Sequence, residues 1–223
     1  MKRRDVILSA ASAWTLASCG GGGGADTGPS GASGPMANCN ITTFSAVGAS
    51  INLSSFYQTA AQRQYQNLWC WAACVSMIFS SKDRPVSQAR IVTEAYGGPY
   101  NMAAPGAVIS RSLNRLWVDD RNRGFTSQLT GVYDAQAGLV AITDDSMIGS
   151  LAGGTPMVIG VGSHAMVLVE LDYTSRLGAS QIVGGQVFDP WTGQSRCLGQ
   201  SELTLAHRGG SIVFLASVVV NTR

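Results

Sequence analysis

Cys70, His164 and Asp189 are residues of types that could sustain nucleophilic acyl transfer. A thiol attacks a carbonyl carbon as its thiolate, and an ordinary cysteine, with a pKa of about 8.5, is mostly protonated at neutral pH. Placement at a helix start favours the anion, because unpaired N–H groups and the positive end of the dipole face the sulfur. Cys70 lies in the first turn of a predicted helix, within Asn67-Leu68-Trp69-Cys70-Trp71-Ala72-Ala73. A nearby imidazole would complete the ion pair, and the chain holds two histidines, His164 and His207. His164 follows Gly160-Val161-Gly162-Ser163 and opens the run Ala165-Met166-Val167-Leu168-Val169, so a predicted strand aims it. The second ring nitrogen needs an orienting partner. Asp189, in Val187-Phe188-Asp189-Pro190-Trp191, ends the following predicted strand. Antiparallel neighbours bring the start of one strand beside the end of the next, so His164 and Asp189 are expected to meet. Taken singly, each residue also has a structural reading: a packed helix cysteine, a strand-edge histidine, a turn carboxylate before proline.

The elements that must position these groups follow from apolar spacing. Trp71, Cys74, Val75 and Ile78 recur at i, i+3, i+4 and i+7 and predict a helix over 68–80, with Asn67 as its cap. A second helix, capped by Ser87, runs to Tyr96 and stops at Gly97-Gly98. A third is expected over 107–116, and a short one capped by Asp144 ends at Gly153-Gly154. Runs rich in Val and Ile at 156–161, 164–173, 181–188 and 211–220 read as strands. Helices first and strands after indicate an α+β fold. The expectation is an N-terminal helical lobe carrying Cys70, facing an antiparallel sheet lobe that carries His164 and Asp189. No internal repeat is visible.

At these residues the chain resembles the papain-like cysteine peptidases, especially the short bacterial, staphopain-like members. Gln64-Tyr65-Gln66-Asn67-Leu68-Trp69-Cys70-Trp71-Ala72-Ala73 resembles their Gln followed six residues later by a Cys in a Trp-Cys segment. The resemblance implies that Gln64 helps form an oxyanion hole with the Cys70 N–H; Gln66, four residues before the Cys, is the competing position. It implies His164, in Gly162-Ser163-His164-Ala165, as the catalytic base, and Asp189 as its partner. It also implies Trp191 as a supporting ring that shields the His–carboxylate contact from water. The order Gln, Cys, His, Asp is the family's, although papain itself has Asn where this chain has Asp189 and the short bacterial relatives use either. The Cys-to-His interval is short, so the sheet lobe is expected to be pared down. Signal and tether occupy the N-terminus, so no autoinhibitory propeptide is expected. The implied activity is a cysteine-type peptidase that hydrolyses peptide bonds through a Cys-His-Asp triad and an acyl-enzyme, without cofactor or metal. Two alternatives stay open: an amidase or acyltransferase using the same residues, and a non-catalytic lipoprotein binding module.

The N-terminus reads as an address. Met1-Lys2-Arg3-Arg4 is basic and residues 6–17 are apolar, which is signal-peptide length and too short for a stable span. Leu16-Ala17-Ser18-Cys19 resembles the lipobox of bacterial lipoproteins, whose Cys is acylated and becomes the mature N-terminus. An ordinary signal peptide with a chance Cys is the other reading. Arg3-Arg4-Asp5-Val6-Ile7-Leu8 also resembles a twin-arginine signal, so Sec and twin-arginine export both stay open. Residues 20–37 hold eight glycines and two prolines with no aromatic ring. They are expected to form a flexible tether with a reach of roughly 24 Å. The division expected is 1–18 signal peptide, 19–38 lipidated Cys19 and tether, and 39–223 catalytic domain. The localisation is then the bacterial cell envelope, with the membrane held through the N-terminal lipid and a protein or peptide as substrate of a monomer.

Composition agrees with this division. A 45% hydrophobic content supports a core, and 223 residues suit one folded domain. Lys2, Arg3, Arg4 and Asp5 together carry the whole net charge of +2, so the rest of the chain is neutral. A neutral domain lacks the basic excess that phosphate binding needs, which argues against nucleic acid as a partner. With Cys19 assigned to lipid, Cys74 reads as a small packed hydrophobe one turn beyond Cys70. Cys70-x3-Cys74 with His164 could be taken as a metal site but lacks a fourth ligand. In an exported chain, Cys39–Cys197 is the disulfide that spares Cys70. His207, beside Arg208-Gly209-Gly210, reads as a turn residue, and Asn40-Ile41-Thr42 is a glycosylation sequon by pattern only.

Overall fold

The computed structural model describes residue 39 and residues 46–222. Among them are five helices: α1 (Leu53–Thr59), α2 (Cys70–Ser81), α3 (Gln88–Tyr96), α4 (Gly106–Leu113) and α5 (Asp144–Ala152). Nine strands accompany them: β1 (Val47–Ser50), β2 (Arg115–Val118), β3 (Gly124–Asp134), β4 (Leu139–Ala141), β5 (Met157–Val161), β6 (His164–Arg176), β7 (Ala179–Asp189), β8 (Gln194–Cys197) and β9 (Ile212–Thr222). No helix among the described residues is long and apolar enough to cross a membrane.

The strands form one sheet in the order β2-β3-β9-β5-β6-β7-β8, with β1 on β6 and β4 on β3. Each strand pair is antiparallel, so the fold combines helices with an antiparallel sheet. Strand β6 is long enough to pair first with β5 and then with β1 along one edge, and with β7 along the other. The β5–β6 connection is a tight hairpin through Gly162-Ser163, closed by the pair Val161↔His164. Gly162 has φ +57°, a left-handed conformation that glycine adopts without a Cβ penalty. Across the sheet, Val167 pairs with Phe188, which carries the start of β6 to the end of β7.

Helix α2 is the centre of the core. Every residue from Cys70 to Phe79 is buried, so the helix is covered on all sides instead of along one stripe. A helix apolar all round has no solvent face to present and must lie inside. It packs against β5 and β6 on one side and against α1, α3 and α4 on the others. Phe79 stacks edge-on with Trp117 and Phe125, locking the helix to β2 and β3.

Several local expectations are corrected. Helix α2 begins at Cys70, with Trp69 and not Asn67 at its N-cap, because Asn67 lies in a turn whose carbonyls are engaged by Gln64. Helix α4 ends at Leu113, short of 116; Asn114 leaves helical geometry and Arg115–Val118 pairs with β3 as β2. The cap of α5 is Thr143, which forms a capping box with Ser146, while Asp144 is the first helical residue and faces the dipole. Ser87 stands at the N-cap of α3 without a side-chain capping bond, and Gly97 closes the helix at φ 79°. Strands β2, β3 and β4 interrupt the expected succession of helices then strands.

Candidate active site

Cys70 stands first in α2, at the positive end of the helix dipole. The approach to that helix is built by side chains, since Trp69 offers no capping oxygen. The N–H of Leu68 donates to Asn101 Oδ1 at 3.0 Å. The Gln64 Nε2 donates to the carbonyls of Gln66 and Asn67, both at 2.9 Å. The indole N–H groups of Trp69 and Trp71 donate to the carbonyls of Tyr100 and Met102, which fixes the 100–102 loop beside the helix mouth. Cys70 as a residue is almost closed off, at 1% exposure.

His164 and Asp189 meet as the antiparallel register demands. The imidazole Nε2–H donates to Asp189 Oδ1 at 2.6 Å, and the same oxygen accepts the Trp191 N–H at 2.8 Å. The His164 ring is also hydrogen-bonded to Cys70, which leaves Nδ1 as the nitrogen facing the sulfur. Burial opposes a charge on His164, but the hydrogen bonds and charges of Asp189 and Cys70 overcome it and raise its pKa to about 9. Burial likewise opposes ionisation of Asp189, and the His164 contact, the Trp191 N–H and the Arg196 charge together hold its carboxyl below its ordinary value. The arrangement therefore favours an imidazolium between a carboxylate and a sulfur at neutral pH.

One loop joins the two sides. The Gln64 N–H donates to the Pro190 carbonyl at 2.9 Å, and Arg63 Nη2 donates to the Trp191 carbonyl at 3.1 Å. The segment before α2 is thus tied to the turn that follows Asp189. Trp191 is half-buried against the core and touches Asp189 through its backbone N–H. Gln66, the competing position, is exposed and engages Gln64 through its carbonyl.

The other singled-out residues lie apart from this chemistry. Cys74 keeps its thiol, fully buried, and burial pushes that thiol well above its usual range. Cys39 and Cys197 form a disulfide with Cα atoms 5.5 Å apart. The backbone N–H of His207 donates to the Tyr133 hydroxyl, and its Nδ1 lies 3.1 Å from the same oxygen, in a short 3-10 turn. No group of three or more metal-ligating side chains is found among the described residues. Cys19, the tether and Asn40-Ile41-Thr42 lie outside the described residues. Asn101 and Gln88 escaped sequence reasoning; each works through contacts distant along the chain, and no local spacing marks them.

No family model matches this chain, and no curated protein matches it. Among solved structures it is similar to the crystal structure of UfSP from C. elegans, at 17% identity and a TM-score of 0.43. The match covers 85% of this chain and 36% of that one, so the chain spans about a third of that protein's length.

Proposed function

We propose that the protein is a cysteine-type peptidase in which Cys70 attacks the peptide carbonyl, His164 moves the proton and Asp189 orients the ring, on a papain-like arrangement of helical and sheet lobes. The observation that carries this reading is the His164 imidazole held between Asp189 Oδ1, at 2.6 Å, and the Cys70 sulfur at the first residue of a buried helix. A charged ring and the positive end of the helix dipole both favour the thiolate. The sulfur adds to the carbonyl carbon, and the carbonyl oxygen takes the negative charge. That charge is received by the Cys70 N–H. Gln64, whose two amide hydrogens are engaged by the Gln66 and Asn67 carbonyls, joins as a donor by exchanging one of those bonds for the oxyanion. Loss of one such donor costs roughly 10²–10³ in rate. His164 then protonates the leaving amine as the C–N bond breaks, and afterwards takes a proton from the water that releases the acyl group. Trp191 supports the contact by donating its N–H to Asp189.

An amine in place of water would make the same residues an acyltransferase. The proposal extends to a lipid on Cys19, export to the cell envelope and action as a monomer on a protein or peptide. Labelling the full chain with an epoxide that alkylates active-site thiols, followed by peptide mapping, tests the reading. Modification at Cys70, lost in Cys70→Ala, is expected. Modification only at other residues, or none, refutes it. Product analysis with and without added amine separates hydrolysis from transfer, and the intact mass of the mature N-terminus reports lipidation.

A further inference from the structure

Gln88, the first residue of α3, is fully buried at 0% exposure, although a glutamine amide is costly to remove from water. Its hydrogen bonds all go to one short segment. Its Nε2 donates to Gln62 Oε1 and to the Arg63 carbonyl, both at 2.8 Å, and its Oε1 accepts the Tyr65 N–H at 3.0 Å. These use three of the four hydrogen bonds that a primary amide readily makes. They flank Gln64 on both sides. The chain of polar contacts continues inward, since Gln62 Nε2 donates to Ser76 Oγ, which donates to the Val86 carbonyl.

The segment is otherwise held by polar contacts at its two sides: Gln62 to Met77 Sδ and Ser76 Oγ, and Arg63 and Gln64 to the carbonyls of Trp191 and Pro190. Arg63 and Tyr65 are exposed and Gln62 and Gln64 only half-buried, so apolar burial does not fix residues 62–65. Yet this segment places the Gln64 amide on the carbonyls of Gln66 and Asn67 at the approach to α2, and places the Gln64 N–H on Pro190, next to Asp189. A leucine at position 88 would fill the same space and hold none of these contacts.

We infer that Gln88 is a positioning residue, whose buried amide clamps residues 62–65 so that the Gln64 amide is presented at the mouth of α2. The inference rests on the reading of Cys70 as the nucleophile. It assigns Gln88 no contact with substrate.

The test uses the full chain with Gln88→Met, which keeps the volume and loses the amide. The expected result is a fall in kcat of on the order of 10²-fold or less with KM nearly unchanged, as for a sub-ångström to ångström displacement of a catalytic donor. Alkylation of Cys70 by iodoacetamide, which needs no oxyanion donor, should keep its rate. Gln64→Ala combined with Gln88→Met should be no slower than Gln64→Ala alone, because Gln88 acts through Gln64. Losses that multiply, or an alkylation rate that falls in step with turnover, overturn the inference. If the wild-type chain turns over no acyl substrate, the nucleophile reading fails, and amide hydrogen exchange decides the clamp by itself. Selective loss of protection at Gln64 and Tyr65 in the variant supports the clamp; retained protection overturns it. Should the Met variant not fold, Gln88→Glu serves for the same measurements: it keeps the acceptor for Tyr65 and removes at least one of the two donations.

Discussion

Replacing Asp189 by Asn removes a charge while keeping the shape and an oxygen that can accept from both His164 and Trp191. In the wild-type chain His164 keeps its proton up to about 9, against an ordinary value of 6.5. Between those two values the folded protein binds a proton that the unfolded chain has released, so stability falls as pH rises. The contribution is fully present below 6.5 and gone above about 9. Over that interval it amounts to about 3 kcal/mol. Without the Asp189 charge, burial is opposed by Cys70 and by the neutral Asn acceptor, and the His164 pKa falls. The stability gap between wild type and Asp189→Asn should therefore be widest near pH 6.5 and narrow through pH 9. Urea unfolding at matched ionic strength, at several pH values across this window, measures the gap. Titrations that the substitution does not touch cancel in the difference, and making the comparison in a Cys70→Ala background removes that of the thiol coupled to His164. An equal decline of the two unfolding free energies between pH 6.5 and 9 would refute the reasoning, because His164 would then owe its proton to something other than Asp189.

Four further outcomes follow from the structure. If catalysis needs the imidazolium, the alkaline limb of kcat/KM should lie near the His164 value of about 9 and move to lower pH in Asp189→Asn, as read from a pH–rate profile. Cys70→Ala should abolish turnover with a melting temperature near wild type, since the change removes one sulfur and no packed carbon. Iodoacetamide at pH 6 should modify Cys70 well before Cys74, whose thiol is fully buried and held protonated, and mass mapping of the reverse order would displace the thiolate from Cys70. Reduction of Cys39–Cys197, which links residues 158 apart, should lower unfolding free energy by about 2–5 kcal/mol, measured as the urea midpoint with and without reductant.

Much of the site was legible because its residues sit on strongly patterned elements. The Val- and Ile-rich runs around 164–173 and 181–188 define β6 and β7, and the antiparallel pairing then brings His164 to Asp189 without further information. The apolar spacing of 71–78 marked α2 but not its first residue. That start is set by Gln64, Asn101 and the tryptophan indoles, which act across turns and loops. Strand β4 has every residue exposed, and β3 carries a bulge between Leu129 and Gly131, so neither presents a clean alternation to read. Helix α5 shows how narrow the local ambiguity is: Thr143 and Asp144 are both competent caps, and the reciprocal bond with Ser146 selects Thr143.

By itself, the sequence determined the kinds of chemistry available, their order along the chain and the main elements that carry them, because side-chain type and short-range periodicity are local properties. Tertiary structure alone decided that Cys70 begins its helix, that Gln64 spends both amide hydrogens on the loop before it, and that a buried glutamine from α3 bonds residues 62–65 while the Gln64 N–H reaches the turn after Asp189. Those choices depend on which distant backbone groups find partners once water is excluded, and such partners are fixed only when the whole chain has closed around them.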